Sequence, residues 1–245
     1  ALDQIGYAHL RVRESFHTPA LAGKLMPFIR AASTVAQLRG QVFGLFGGRS
    51  LGIDTGTIDP MQWRRQFGVD VEHVDQFEII RRAELIDREH ASRMVTWLEK
   101  NMGAVEYDNN KLTVEKLGLQ SRCYLATRQI IAEKHMDFIA IKCMPDLTNH
   151  YVPQCISAAL LPGPFDADGL QEPVPMACEA DGDGALTMQI LNLVSGGQPT
   201  LFGDLSYLDE ANQTIYIIEE NTSSVNDMNM EKSQKFGLYD NFPNP

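Results

Sequence analysis

The sequence of 245 residues has no apolar run long enough to span a bilayer, and its first nine residues lack the basic-then-apolar order of a secretory signal. Basic residues are also scarce, since 21 Lys and Arg stand against 32 Asp and Glu and give a net charge of -11. Such an acidic chain is a poor candidate for binding a phosphate backbone, which requires clustered cations. We therefore expect a cytoplasmic protein with no membrane partner and no nucleic-acid partner.

Cysteine is rare, and the four thiols form no C-x-x-C pair: Cys123, Cys143, Cys155 and Cys178. This spacing disfavours a zinc ribbon or a redox pair, and isolated thiols favour a reducing compartment, where we expect them to be buried as small hydrophobic side chains. The six histidines show neither H-x-H nor H-E-x-x-H spacing, so there is no zinc-hydrolase signature. The glycine-rich turn at 47–52 fits neither the dinucleotide motif nor the P-loop, which disfavours a nucleotide ligand.

Short apolar runs alternate with helical patterns from residue 41 onwards. This alternation predicts an α/β fold, an open and mostly parallel sheet with helices on both faces, of the flavodoxin or Rossmann kind. We predict strands at 42–46, 69–74, 138–143, 174–178, 200–203 and 215–218. We predict helices at 21–38, 60–67, 75–82, 87–102, 113–135 and 154–161, and a further one that Asp181 begins. The segment 145–153 is predicted to be a loop.

The chain divides into three parts on this pattern. Residues 1–40 form an N-terminal arm and helix, residues 41–220 form the α/β domain, and residues 221–245 form an irregular tail rich in Asn and Ser. No internal repeat interrupts the order. We therefore expect any chemistry to lie in the middle part.

Two acidic residues follow predicted strands at the place where open parallel sheets bind ligands, outside the carboxyl ends of the strands. Glu179 follows the strand at 174–178, and Asp204 follows the strand at 200–203. If these strands are neighbours, their Cα atoms lie about 5 Å apart. Two carboxylates at that distance repel each other, and a divalent cation such as Mg or Mn relieves the repulsion. The alternative is that one of them caps the following helix or stays solvated.

Two other polar residues also follow predicted strands. Arg49, in the turn at 47–52, can anchor a sugar hydroxyl or simply pair with a carboxylate. His150 lies in the predicted loop after 138–143, where a role in binding and a role as a hydrogen-bonded loop histidine both fit. The charged residues around 70–82 are typical of a solvated, salt-bridged face.

Four segments resemble the L-fucose isomerase and D-arabinose isomerase family of aldose–ketose isomerases: 74–82, 148–151, 178–185 and 201–204. The match runs from about residue 20 to residue 218 in the same order and with similar separations. The resemblance implies the central α/β domain of a larger, homo-oligomeric subunit that uses Mn(II) and acts on a small-molecule sugar. It also implies family domains before and after this one.

The resemblance also implies roles for particular residues. Glu179 is the position of the first carboxylate ligand and Asp204 that of the second, and both are poised to move a proton between C1 and C2 through an enediol. A hydride shift is the rival mechanism. Leu51 stands where the family places an apolar substrate contact, and Met144 stands where some members have a glutamine that contacts substrate. With Arg49 and His150, these two form the expected substrate-binding set.

The sequence departs from the family in ways that bear on activity. The family's third metal ligand, a histidine in the C-terminal domain, has no counterpart here, and Asn149 replaces a common aspartate. The domain that reaches into a neighbouring subunit's site also has no counterpart. We therefore expect a fragment or a truncated relative whose own site is incomplete. The primary hypothesis is a sugar ketol-isomerase, and the alternative is a non-catalytic sugar-binding or assembly module. A periplasmic sugar-binding protein is disfavoured because no signal sequence is seen.

Overall fold

A sheet of four parallel strands forms the centre of the fold in a computed structural model that describes residues 2–15, 17–210 and 214–219, without side-chain detail at 204–207, 209 and 214–219. The strands in chain order are β1 (Val42–Phe46), β2 (Asp70–Val74), β3 (Phe138–Ile141), β4 (Phe165–Asp166), β5 (Gly169–Leu170), β6 (Met176–Ala177), β7 (Gly203–Asp209) and β8 (Thr214–Glu219). The parallel sheet has the order β2-β1-β3-β6, while β4–β5 and β7–β8 are separate antiparallel hairpins. This architecture confirms the predicted α/β class.

Helices connect the strands, and one turn of 3-10 helix (Asp3–Ile5) lies in the N-terminal arm. The α-helices are α1 (Pro19–Leu38), α2 (Pro60–Gln66), α3 (Gln76–Leu85), α4 (Arg88–Asn101), α5 (Val114–Lys134), α6 (Asp146–His150), α7 (Cys155–Leu160) and α8 (Gly182–Ser195). Side chains of Asp59, Thr113 and Asp181 accept backbone N–H bonds at the starts of α2, α5 and α8. Among the described helices, none is both long and apolar enough to cross a bilayer.

Alternating side chains of the sheet feed two apolar layers. Phe46, Ile139 and Ile141 point into a core shared with α3, α4, α5 and α7. Phe43 and Phe138 point to the other face, into a core shared with α1, α2 and α8. Strands buried on both faces are nearly continuously apolar, which is why the sequence pattern predicted them correctly.

The predicted strand at 200–203 is wrong, and it is not a neighbour of the strand at 174–178, as the expected spacing of Glu179 and Asp204 required. Residues 200–202 pair with no strand, and β7 begins at Gly203 and pairs antiparallel with β8. Phe202 instead packs onto the start of α8, where a Cβ on Gly184 would lie 2.7 Å from Phe202 Cε2. A segment of four residues is too short to show whether its apolar side chains alternate as in a strand. Such a segment can therefore be an irregular stretch with a buried side chain as easily as a strand.

Two other predictions have different outcomes. The segment at 145–153 is not wholly a loop, since α6 occupies five of its residues and buries Leu147. The predicted strand at 215–218 exists as part of β8, although it lies outside the parallel sheet. The tail at 221–245 lies outside the described residues. Of the cysteines, Cys123, Cys143 and Cys178 are buried as expected, whereas Cys155 is half-buried.

Candidate functional site at the carboxyl edge of the sheet

The strand order changes direction at one position along the carboxyl edge, and we call the space between the two loops there the crevice. From β1 the chain moves outward to β2 through α2, and it returns through α3, α4 and α5 to place β3 on the other side of β1. The connections lie on opposite faces of the sheet, because α2 packs in one core and α5 in the other. Such a topological switch point is where open α/β sheets bind ligands. The loops after β1 and β3 therefore border the candidate site.

Hydrogen bonds tie these loops across the crevice. The Ser50 hydroxyl, after β1, donates to the Met144 carbonyl, after β3, over 3.0 Å. The Gln76 side-chain amide, at the start of α3, donates to the Lys142 carbonyl. The backbone N–H of Ala180 donates to the Ile141 carbonyl over 3.0 Å and joins the end of β6 to the end of β3. The edge of the sheet is thus a connected frame.

Glu179 lies in a sharp turn between β6 and α8. Glu179 and Ala180 both have left-handed backbone conformations, with φ of 56° and 55°. Consecutive non-glycine residues in this region are uncommon and carry strain, which is concentrated at functional sites. Ala180 is buried, and Glu179 is half-buried. The turn holds a carboxylate at the carboxyl edge, one strand away from the switch point.

Asp204 is not on a strand next to Glu179, so the lateral spacing of about 5 Å expected for neighbouring strands does not apply. It is the second residue of β7, and its side chain is outside the described detail. The preceding Phe202 packs against the small cluster of Cys143, Leu147 and Cys178 at the carboxyl ends of β3 and β6. The backbone therefore enters β7 from the same edge that carries Glu179.

The expected substrate-binding residues occupy three different settings at this edge. Arg49 is exposed and pairs with Asp54, which agrees with the alternative that it pairs with a carboxylate. Leu51 is 53% exposed and has a φ of 49°. Met144 is half-buried, and His150 is exposed as the last residue of α6. The structure thus places Leu51 and Met144 on the two loops that border the crevice.

Sequence reasoning missed the residues that connect the loops. Ser50 and Gln76 belong to no recognisable motif. The sequence also does not show whether such a polar residue is buried or solvated. Lys142, at the end of β3, lies 2.6 Å from the carboxylate of Asp146, and this hydrogen bond lowers the pKa of Asp146. The spacing of four residues between Lys142 and Asp146 was the one available signal for an ion pair.

The described residues do not by themselves complete a metal site. In the part of the chain with described side chains, no group of three or more His, Cys, Asp or Glu residues could hold a metal ion. Glu179 has carboxylate oxygens, which are of the kind that Mn(II) accepts as ligands. A metal site at this edge would need further ligands from outside that set, where Asp204 is the expected second carboxylate.

Comparisons with known proteins agree with this arrangement. Residues 42–137, from the start of β1 to just past α5, match the family model described as L-fucose isomerase, second N-terminal domain. A sulfoquinovose isomerase of Alkalicoccus urumqiensis is 28% identical over 197 residues, which are 80% of this chain and 42% of that protein. An L-fucose isomerase of Shigella dysenteriae is 26% identical over 198 residues, which are 71% of this chain and 33% of that protein.

A third relative, an L-fucose isomerase of Phocaeicola vulgatus, is 36% identical over 98 residues, which are 39% of this chain and 17% of that protein. The chain therefore spans less than half the length of these curated relatives. These relatives are sugar isomerases. The part of this chain that matches the family model includes β1, from which the switch point of the sheet begins. Together, the matched domain and these relatives show that the chain is similar to sugar isomerases of the L-fucose isomerase kind over most of its length.

Proposed function

We propose that this chain carries part of the active site of a metal-dependent aldose–ketose isomerase of the fucose/arabinose type. The observation that carries the proposal is the position of Glu179, which the turn after β6 holds at the carboxyl edge of the sheet in a relative of sugar isomerases. In this proposal, Glu179 takes a proton from one of the carbons C1 and C2 of an open-chain sugar and returns it to the other through an enediol.

Asp204 is proposed as the second acid–base group. It follows Phe202 by two residues, and Phe202 is anchored among Cys143, Leu147 and Cys178 at the carboxyl ends of β3 and β6. This anchor supports an approach of the start of β7 to the turn at Glu179. Two carboxylates have separate uses in the reaction, since one removes the carbon-bound proton while the other moves the proton between the two oxygens.

Mn(II) is the proposed cofactor, with Glu179 and Asp204 as its ligands from this chain. When bound, the metal would polarise the carbonyl and hydroxyl oxygens of the sugar. Two protein ligands leave several coordination positions for water or sugar oxygens, which hard divalent cations tolerate. Affinity in this chain should therefore be weak.

The proposed substrates are sugars of the kind named for the relatives, L-fucose and sulfoquinovose. Arg49, Leu51, Met144 and His150 are proposed to face the substrate from the loops after β1 and β3. We also propose a cytoplasmic homo-oligomer. Support for association comes from α1, where Met26, Phe28, Ile29 and Val35 are exposed apolar side chains.

A non-catalytic sugar-binding or assembly module is the second candidate. One observation favours it, namely that no three-ligand metal group occurs among the described side chains. Such a module would bind a sugar at the switch point without converting it, or would contribute only contacts to an assembly.

Ketose formation tests the proposal directly. The chain is incubated with MnCl2 and L-fucose, D-arabinose or sulfoquinovose, and ketose is quantified by anion-exchange chromatography. Because this chain supplies only part of the site, we expect slow conversion by the wild type. We expect a further fall of at least about 100-fold in Glu179→Gln, because a general acid–base group contributes at least that factor. The amide keeps the size of the side chain, but it has no negative charge and cannot accept the proton.

Asp183→Asn is the matched control, because Asp183 is an exposed carboxylate on the first turn of α8, four residues after Glu179. It should retain the wild-type rate. Equal rates for Glu179→Gln and wild type would contradict the catalytic role. Sugar binding by calorimetry without any ketose from the wild type would instead support the binding module.

A further inference from the structure

We propose that Ser50 is a positioning residue, which holds the two expected substrate-contact residues Leu51 and Met144 in fixed relation across the crevice. The proposal rests on the proposed function for its kinetic consequence, but the contact itself is independent of it. Ser50 Oγ donates to the Met144 carbonyl over 3.0 Å. The bond joins the residue before Leu51 directly to Met144.

Burial sets Ser50 apart within its loop. It is 1% exposed, whereas its neighbours Arg49 and Leu51 are exposed. Of residues 47–59, all of which the structure describes, Ser50 alone is fully buried. A buried hydroxyl without a partner costs free energy, so the bond to Met144 is what makes this burial acceptable.

The turn that follows transmits this anchor to Leu51. The Ser50 carbonyl accepts a hydrogen bond from the Ile53 N–H over 2.8 Å. Leu51 and Gly52, inside that turn, have φ angles of 49° and 76°. A left-handed leucine is held only when its surroundings fix it. Ser50 therefore fixes Leu51 from one side through the turn and Met144 from the other through its hydroxyl.

The position of the bond gives it functional meaning. It crosses between the carboxyl ends of β1 and β3, which is the switch point of the sheet. Loss of the bond should let the two loops move independently, and a sugar held between them would lose a pre-formed site. The expected consequence is weaker substrate binding with little change in the chemical step.

Hydrogen–deuterium exchange of Ser50→Ala tests the contact. We expect exchange to rise by about threefold to tenfold in peptides covering both 47–56 and 143–149, the range that matches the loss of one hydrogen bond. Ser121→Ala is the matched control, since Ser121 is also fully buried and donates to a backbone carbonyl, that of Leu117, over 2.9 Å. Its effect should stay within α5.

Kinetics separate this proposal from the proposed function. If the wild type converts a sugar, Ser50→Ala should raise KM by about the same factor and leave kcat close to wild type, while Ser121→Ala should leave KM unchanged. Unchanged exchange in either loop of Ser50→Ala, or an unchanged KM, would overturn the role of Ser50. If the wild type converts no sugar, the exchange result alone decides the positioning role, and Mn(II) titration of wild type and Glu179→Gln decides the proposed function.

Discussion

Two regions of the molecule differ in where they place the carboxylates that hold their loops, since one buries the carboxylate and the other exposes it to solvent. At the β4–β5 hairpin the charge is turned inward. The side chain of Asp166 is 1% exposed, and it receives hydrogen bonds from the Tyr124 hydroxyl at 2.6 Å and the Arg128 guanidinium at 2.5 Å. This hairpin is thereby fixed to α5, and burial together with Asp166 raises the pKa of Tyr124.

At the carboxyl edge of the sheet the charge is turned outward. The side chains of Asp54 and Asp146 are 81% and 52% exposed in their ion pairs, and the buried tie between the loops is the neutral bond from Ser50. A carboxylate that is satisfied inside the protein stabilises it and has no capacity left for a ligand. A carboxylate at a solvated edge, such as that of Asp54 or Asp146, stabilises the fold little.

Asp166→Ala should have the largest effect on stability, because it removes the buried carboxylate at the centre of a hydrogen-bond network. It leaves Tyr124 and Arg128 without their shared acceptor, and we expect a loss of about 2–4 kcal/mol in the free energy of unfolding. The upper end of the usual range is not expected, since the Arg128 side chain is 33% exposed. Urea unfolding followed by circular dichroism measures the change.

The control is Asp54→Ala, which removes a side chain that is 81% exposed and pairs with Arg49. An exposed pair of this kind contributes at most about 1 kcal/mol. Equal losses in the two variants would break the comparison, because inward and outward charges would then be energetically alike.

Glu78→Gln should have a smaller effect that depends on pH. Hydrogen bonds from Arg81 and Arg82, at 2.7 and 2.6 Å, lower the pKa of Glu78 from 4.5 to about 2. A carboxyl whose pKa is lowered on folding stabilises the protein above its unfolded pKa, and this stabilisation is lost as pH falls through the folded pKa. Wild type should therefore lose more stability than Glu78→Gln between about pH 4.5 and pH 2.

Urea midpoints at both ends of that pH window measure the difference. Because both proteins share every other carboxyl group, subtracting the two curves isolates Glu78. If the urea midpoints of the two proteins change equally with pH, the ion pairs of Glu78 contribute nothing to stability. The difference between these exposed ion pairs and the buried Asp166 would then be larger.

The sequence predicted the parallel sheet well because buried strands leave a direct pattern. Runs such as β1 and β3 are apolar on both faces, and each is followed or preceded by a helix with a capping residue such as Thr113. The same reasoning gave a wrong strand at 200–203. Phe202 is apolar because it packs against α8 and the cluster of Cys143, Leu147 and Cys178, and not because it lies in a strand of the sheet.

The candidate site was only partly predictable. The position of Glu179 after an apolar run was correctly placed at the carboxyl edge, but its left-handed backbone has no signal in the sequence, since glycine is the usual residue there. The tie from Ser50 to Met144 joins residues that are 94 positions apart. A contact of that separation exists only once the order of the strands is known.

Calorimetric titration of Mn(II) into the chain tests the central claim, that the carboxyl edge presents carboxylates to a shared cation. The variants are Glu179→Gln and Asp204→Asn, with Asp183→Asn as the control. We predict weak binding to wild type and to the control, because two carboxylates together attract the cation, and no binding to either site variant. Identical titrations for wild type and Glu179→Gln would contradict the account.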